Sequence, residues 1–150
     1  MDAARELEAL EFRYFSMSEE EGDAFLKRLK ELLAREERVV FAYVHGSFVS
    51  GRPFRDVDVA VWVEDPENAF YYAVKLAAEL STSLGLPIDL HVLNNAPLPF
   101  KYHVFARGRL LFSRDEGARL REVSLTFRMY FDLRELLKTL ERGPLPSAWA

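Results

Sequence analysis

The chain has 150 residues, of which 49% are hydrophobic, and carries 24 acidic and 20 basic residues for a net charge of −4. A chain of this length and hydrophobic content can bury a sizeable core, which excludes an intrinsically disordered protein. The acidic balance argues against a nucleic-acid partner, because nucleic acids select a basic protein surface. We expect a single domain over residues 1–150, with a frayed tail from about residue 143.

The N-terminal part of the chain predicts a helix followed by a strand. Ser18 and Glu21 have the spacing of a capping box for a helix that runs to about Glu37. The run Val39–Val44 is rich in β-branched and aromatic residues, which predicts a buried strand. The residues before Ser18 fit either a short helix or a strand.

The rest of the chain alternates strands and helices. The predicted elements are a strand over Asp56–Val63, a helix of the Ala69–Leu84 type ended by Gly85, a strand over Pro87–Leu93, a helix over Leu98–Ala106, a strand over Arg109–Ser113, and a helix that begins after Asp115 and ends at about Leu140. The order α-β-β-α-β-α-β-α predicts an α/β fold of the α+β kind, with a small mixed sheet flanked by helices.

Three carboxylates lie on two of these predicted strands. Asp56 and Asp58 share one face of their strand, roughly 7 Å apart along it, while alternate valines occupy the other face. Asp89 interrupts the apolar strand Pro87–Leu93, where an unpaired buried charge would be costly. If the two strands are neighbours, the carboxylates can converge on one or two hard cations, and magnesium prefers such oxygen ligands.

A Gly-Ser turn follows the first predicted strand. Gly46 allows the backbone to approach a ligand closely, and the hydroxyl and N–H groups around Ser47 suit phosphate oxygens. A second glycine, Gly51, follows in the same loop. The pattern indicates a site for a nucleoside triphosphate and its magnesium at the edge of a sheet.

A Gly-Ser turn, an Asp-x-Asp strand and a third Asp on a later strand form the signature of the DNA polymerase β nucleotidyltransferase superfamily. The chain resembles a minimal nucleotidyltransferase (MNT) of that superfamily, and its size is similar to the MNT antitoxins of HEPN–MNT toxin–antitoxin pairs. The resemblance implies that Asp56, Asp58 and Asp89 are catalytic and bind two Mg²⁺ ions, and that Gly46 and Ser47 bind ATP. It also implies transfer of AMP to a hydroxyl, in particular a tyrosine, of a HEPN-domain partner.

The loop departs from the family pattern. Many members carry a basic residue just before the loop glycine, where this chain has Phe48-Val49-Ser50. Arg52 and Arg55 are the candidates to supply positive charge to the phosphates instead. This departure keeps open a nucleotide-binding antitoxin that masks its partner without catalysis. A small-molecule adenylyltransferase is a further alternative, although enzymes of that kind usually need an added domain to hold the acceptor.

The histidines and the last helix carry weaker signals. His45 and His91 are more typical of structural histidines than of catalytic groups, although His91 shares the predicted strand face of Asp89. The last helix has a wide apolar face, which fits either core packing or an interface with a second copy or a partner chain. That face comprises Leu120, Val123, Phe127, Tyr130, Phe131, Leu133, Leu136, Leu137 and Leu140.

Two expectations concern the setting of the protein. The chain shows no signal-peptide pattern and no long apolar run, so we expect a cytoplasmic protein without membrane association. It contains no cysteine, no glutamine and three asparagines beside many Glu and Arg, a depletion of thermolabile residues that favours a thermophilic source.

Overall fold

The computed structural model describes residues 14–143. Its elements, in chain order, are α1 (Glu19–Leu33), β1 (Val39–His45), β2 (Val57–Val63), a 3-10 turn (Pro66–Asn68), a π-helical segment (Tyr71–Leu76) that continues into α2 (Ala77–Leu84), β3 (Ile88–Val92), α3 (Leu98–Arg107), β4 (Arg109–Ser113) and α4 (Glu116–Glu141). The predicted fold class is confirmed. The N-terminal stretch before residue 14 and almost all of the expected C-terminal tail lie outside the described residues.

The four strands form one sheet in the order β3-β2-β1-β4. β1 is antiparallel to both β2 and β4, whereas β2 and β3 are parallel and are joined by the helical crossover over residues 66–84. In this register His45 lies opposite Asp58, and Asp58 lies opposite Asp89. The fold therefore aligns these three side chains in one row across three strands.

The two sheet faces have different covers. The valine face of β2 packs in the main core against apolar residues of α1, the π-helical segment and α2. A smaller cluster covers the opposite face and is formed by Phe41, Tyr43, Ala60, Leu93, Val104 and Phe105. This second cluster lies towards the far end of the strands from the Gly-Ser turn, so the row containing Asp58 and Asp89 stays partly open.

Local capping explains where two helices begin. The Ser18 hydroxyl accepts a hydrogen bond from the Glu21 N–H at 3.2 Å, and the Glu21 carboxylate accepts one from the Ser18 N–H, which confirms the capping box. Asp115 caps α4 by accepting the Ala118 N–H at 3.0 Å. Phe15 forms an isolated antiparallel bridge with Phe54, so the described residues before α1 are not helical.

The predicted end of α1 was wrong. The helix ends at Leu33 rather than near Glu37, because the chain must turn there to enter β1. The guanidinium of Arg114 donates hydrogen bonds to the backbone oxygens of Ala34, Glu36 and Val39 across this turn. Carbonyl groups that a longer helix would have bonded internally are thus satisfied by a residue from the junction between β4 and α4.

The apolar side of the crossover helix was also only partly predicted. Tyr72, Leu76, Ala77 and Leu80 are buried, but Val74, which we expected on the same side, is 50% exposed. A π turn adds residues to each helical turn, which rotates the helix surface relative to an ideal α-helix.

Only part of the apolar face of α4 packs against other described residues. Val123 and Phe127 pack against the second core cluster, and Tyr130 stacks on Tyr102 of α3 with ring centroids 3.7 Å apart. About half of the surface of five other predicted members is exposed: Leu120, Phe131, Leu136, Leu137 and Leu140. Within residues 14–143, no helix has the length and apolar character needed to cross a membrane.

Candidate active site

The Gly-Ser turn leaves the end of β1 directly beside a carboxylate. Gly46 has a φ of 79°, in the left-handed region that favours glycine. A Cβ atom at this position would overlap Oδ2 of Asp58. Glycine is therefore required here both by the backbone conformation and by the close approach of Asp58.

Two of the three predicted carboxylates converge, and a histidine joins them. Asp58 and Asp89 are directly opposite on β2 and β3, and His91 follows on the same face of β3. One ligand atom from each of the three lies within 4.8 Å of the other two, and His91 Nε2 is 3.0 Å from Asp89 Oδ2. Asp56 lies just before β2 and is near enough for its charge to act on Asp58.

The electrostatics of Asp58 reflect this crowding. Burial, the negative charge of Asp56 and that of Asp89, in this order, raise the pKa of Asp58 from 3.8 to about 6. The charge of His91 acts in the opposite direction. The carboxylates of Asp56 and Asp89 therefore repel the charged form of Asp58, and a bound cation would relieve this repulsion.

The donor set fits a magnesium ion. Carboxylate oxygens from Asp58 and Asp89 are hard donors that share one small volume, and the Asp89 side chain is 47% exposed, which leaves room for substrate oxygens. Imidazole nitrogen suits transition metals better than magnesium. The carboxylates, rather than His91, would therefore be the ligands of such an ion.

His45 is a structural neighbour of this cluster. Burial, followed by the charge of His91, lowers the pKa of His45 to about 4, so its ring is neutral at physiological pH. Its ring centroid lies 5.5 Å from that of Phe100 and 6.3 Å from that of His91. Its buried Nε2 finds no hydrogen-bond partner among residues 14–143.

The loop after the Gly-Ser turn is held by aromatic packing. Phe48 packs its ring against those of Phe25 and Phe54, at centroid distances of 5.6 and 5.0 Å. Arg52 lines a cavity of about 340 Å³ between this loop and the start of α1, and the Arg55 guanidinium lies 5.8 Å from the ring centroid of Tyr14. The phosphate-binding roles of both arginines, and of the exposed Ser47, stay predictions.

Residues 27–117 match the family model described as polymerase beta, nucleotidyltransferase. The chain belongs to this family. The matched region begins within α1 and includes the Gly-Ser turn together with β2 and β3. The converging carboxylates thus lie within the nucleotidyltransferase domain.

Solved structures share the fold of this nucleotidyltransferase. A chain in the complex of the tri-AMPylated Shewanella oneidensis HEPN toxin with MNT antitoxin is 20% identical, with a TM-score of 0.62 over 81% of this chain and 96% of that chain. A chain of the MntA-HepT toxin–antitoxin is 19% identical, with a TM-score of 0.61 over 80% of this chain and 96% of that chain. A chain of the toxin–antitoxin with AMP-PNP is 22% identical, with a TM-score of 0.63 over 78% of this chain and 95% of that chain. No curated protein matches the sequence significantly.

His91 is the member of the cluster that the sequence did not place among the predicted catalytic, metal-binding or nucleotide-binding residues. His91 lies two residues after Asp89, and alternate residues of a strand share one face. This spacing was the available signal that His91 would lie beside Asp89. Its ion-pair distance to Asp89 depends on side-chain conformation, which the strand pattern does not contain.

Proposed function

We propose that this nucleotidyltransferase transfers AMP from ATP to a hydroxyl, in particular a tyrosine, of a HEPN-type partner protein, and acts as an antitoxin. The observation that carries the proposal is the convergence of Asp58 and Asp89 beside Gly46, in a chain of the polymerase beta family. Support for the partner and the reaction comes from the fold shared with the complex that contains a tri-AMPylated HEPN toxin.

The reaction divides into binding, attack and departure. The N–H groups and hydroxyl around Gly46 and Ser47 would position the triphosphate, while Asp56, Asp58 and Asp89 would hold the magnesium ions. When bound, the magnesium ions neutralise charge on the phosphates and favour ionisation of the acceptor hydroxyl. The acceptor oxygen forms a bond to the α-phosphorus as the bond from that phosphorus to the bridging oxygen breaks, and pyrophosphate departs with the bonding electrons. Asp89, whose side chain is 47% exposed, accepts the hydroxyl proton.

The direct test is mass spectrometry of the co-produced partner. A candidate HEPN-type protein is incubated with this chain, ATP and magnesium, and under the proposal its intact mass rises by one or more AMP groups. Asp89→Asn keeps the side-chain shape and removes the charge, so it should lower the rate by orders of magnitude while much of the ATP binding is retained. Wild-type rates in this variant would remove Asp89 from the mechanism.

The alternative is an antitoxin that masks its partner without catalysis. Two observations favour it: the loop lacks the family's basic residue and instead packs Phe48 inwards, and α4 exposes much of its apolar face. A wild-type chain that binds and inhibits the partner in the presence of ATP and magnesium, without any increase in partner mass, would establish this alternative.

Other finer expectations stay predictions. These are assembly through α4, the two-ion count, the cytoplasmic location and the thermophilic source. Calorimetric titration of ATP in the presence of magnesium or of EDTA tests the ion requirement, because without cations the carboxylates would repel the triphosphate.

A further inference from the structure

Among the described residues, the strand that carries Asp89 is an edge strand of the sheet. In the parallel pair, the Val57 N–H donates to the Pro87 oxygen and the Leu93 N–H donates to the Val61 oxygen. Backbone groups that bond the neighbouring strand belong to alternate residues, so those of Leu90 and Val92 point away from the sheet. No residue of the described chain forms a backbone hydrogen bond with this outer side of Leu90 or Val92.

A cavity of about 510 Å³ opens at the same place. Its walls are mainly apolar and include Ala73 of the π-helical segment and Pro97 and Phe100 at the start of α3. Leu90, His91 and Val92 of β3 form its floor. The free edge and the cavity are therefore parts of one groove, which we call the β3 groove.

The β3 groove is continuous with the candidate active site. His91 lines the cavity and also lies 3.0 Å from Asp89. The ring of Phe100 meets that of His91 at a centroid distance of 5.4 Å. A ring that entered between the apolar walls would therefore have its polar end directed to His91, the ionisable group among the described residues of the cavity lining, and to the adjacent carboxylate.

We propose that the β3 groove binds the acceptor, as an extended peptide segment that pairs with Leu90 and Val92 and places a tyrosine ring in the cavity. This assignment rests on the proposed function and identifies where its substrate docks. Outward backbone groups on an edge strand recognise extended peptides, and side-chain pockets beside such a strand select one residue. A phenol has the required chemistry, since its ring suits the apolar walls and its single hydroxyl is the atom that must reach Asp89 for AMP transfer.

Filling the groove gives the functional test. Ala73→Phe places a ring in the cavity, and Ala78→Phe makes the same change on the same helix, at an exposed position outside the cavity lining. With the HEPN-type protein as acceptor, we expect Ala73→Phe to raise its KM at least about tenfold, because the acceptor ring is excluded. The affinity for ATP should not change, because Ala73 lines the proposed acceptor cavity and not the Gly-Ser turn. An unchanged KM in Ala73→Phe, or an equal rise in Ala78→Phe, would overturn the assignment.

A binding measurement separates this inference from the proposed function. N-acetyl-tyrosinamide, added at millimolar concentrations without ATP, should shift the amide NMR signals of Ala73, Ala96 and Phe100, while N-acetyl-alaninamide should not. The shifts should be lost in Ala73→Phe and kept in Ala78→Phe. If the wild type binds the tyrosine probe in this way but never transfers AMP, the groove stands and the proposed activity fails. If it transfers AMP but the probe leaves these signals unchanged, the groove assignment fails.

Discussion

Replacing Asp58 with asparagine should stabilise the protein in the absence of cations. The substitution keeps the shape of the side chain and removes one of two carboxylates whose oxygens lie within 4.8 Å of each other. It would also remove the repulsion from Asp56, one of the charges that raise the pKa of Asp58 to about 6. A residue with a proposed role in catalysis is thus predicted to lower the stability of the protein without cations.

The magnitude follows from the raised pKa of Asp58, to which burial contributes most and the charges of Asp56 and Asp89 contribute next. A pKa increase from 3.8 to about 6 corresponds to roughly 3 kcal/mol at neutral pH. Coulomb's law at that distance, with an effective dielectric constant of about 20, gives a similar upper value. Asp58 is only partly buried, so screening by solvent reduces the expected gain in unfolding free energy to about 1 kcal/mol. For a chain of this size, that gain raises the Tm by about 3 °C.

The sign of the pH dependence is fixed by the raised pKa. The contribution of Asp58 to stability is fully present below its unfolded pKa of about 4 and is lost as the pH rises through about 6. The stability difference between Asp58→Asn and the wild type should therefore be absent below pH 4 and fully developed at pH 7.

The assay is urea unfolding in EDTA and in excess magnesium, with Asp132→Asn on the exposed surface of α4 as the matched control. Without cations, Asp58→Asn should be the more stable protein. With magnesium the order should reverse, because the ion stabilises the wild type by mass action and the variant lacks a ligand. An Asp58→Asn protein no more stable than the wild type in EDTA at pH 7 would refute the repulsion argument.

Three further perturbations test other parts of the structure. Gly46→Ala should remove magnesium-dependent ATP binding and lower the unfolding free energy by about 1–3 kcal/mol. The reason is that Gly46 has a φ of 79° and that an added Cβ would overlap Asp58. ATP binding that calorimetry still detects in the variant would contradict this. Asp65 is buried and accepts a hydrogen bond from Tyr72 at 2.5 Å; burial alone would raise its pKa, but this bond and those from its other partners lower it. Its stabilising contribution is therefore present above a pH of about 4 and lost on further acidification. Urea unfolding should show that the wild type loses stability below about pH 4 and that Asp65→Asn flattens this loss. Arg114→Lys keeps the charge but not the planar donor array, and should lower the unfolding free energy by about 1 kcal/mol; equal stability in urea would show that those bonds contribute nothing net.

The features that were predictable from sequence depend on contacts within one helical turn or on the alternation of strand residues between two faces. The capping box of Ser18 and Glu21 lies within one helical turn, so its residues suffice to identify it. Alternation along a strand placed Asp58 and Asp89 on definite faces, and their meeting then required only that β2 and β3 be neighbours. Their catalytic roles stay predictions.

The features that were missed depend on tertiary contacts. The turn that ends α1 early is satisfied by Arg114, far along the chain, whose guanidinium donates hydrogen bonds to the oxygens of Ala34 and Glu36. The π-helical segment that exposes Val74 follows from packing against the sheet, and helical periodicity gives no sign of it. The positions of Arg52 and Arg55 follow a loop whose path is set by the aromatic packing of Phe48.

The parallel pairing of β2 with β3 has a consequence for the lifetime of the folded chain. Asp58 reaches its place with the β1–β2 hairpin, whereas Asp89 arrives only after the crossover helix has folded back along the sheet. Long connections close more slowly than hairpins, so we expect the acidic charges to meet late, after the main folding barrier. Interactions that form after the barrier act on the rate of unfolding. Repulsion at the site should then raise the rate of unfolding and leave the rate of folding nearly unchanged. A bound cation should lower the rate of unfolding.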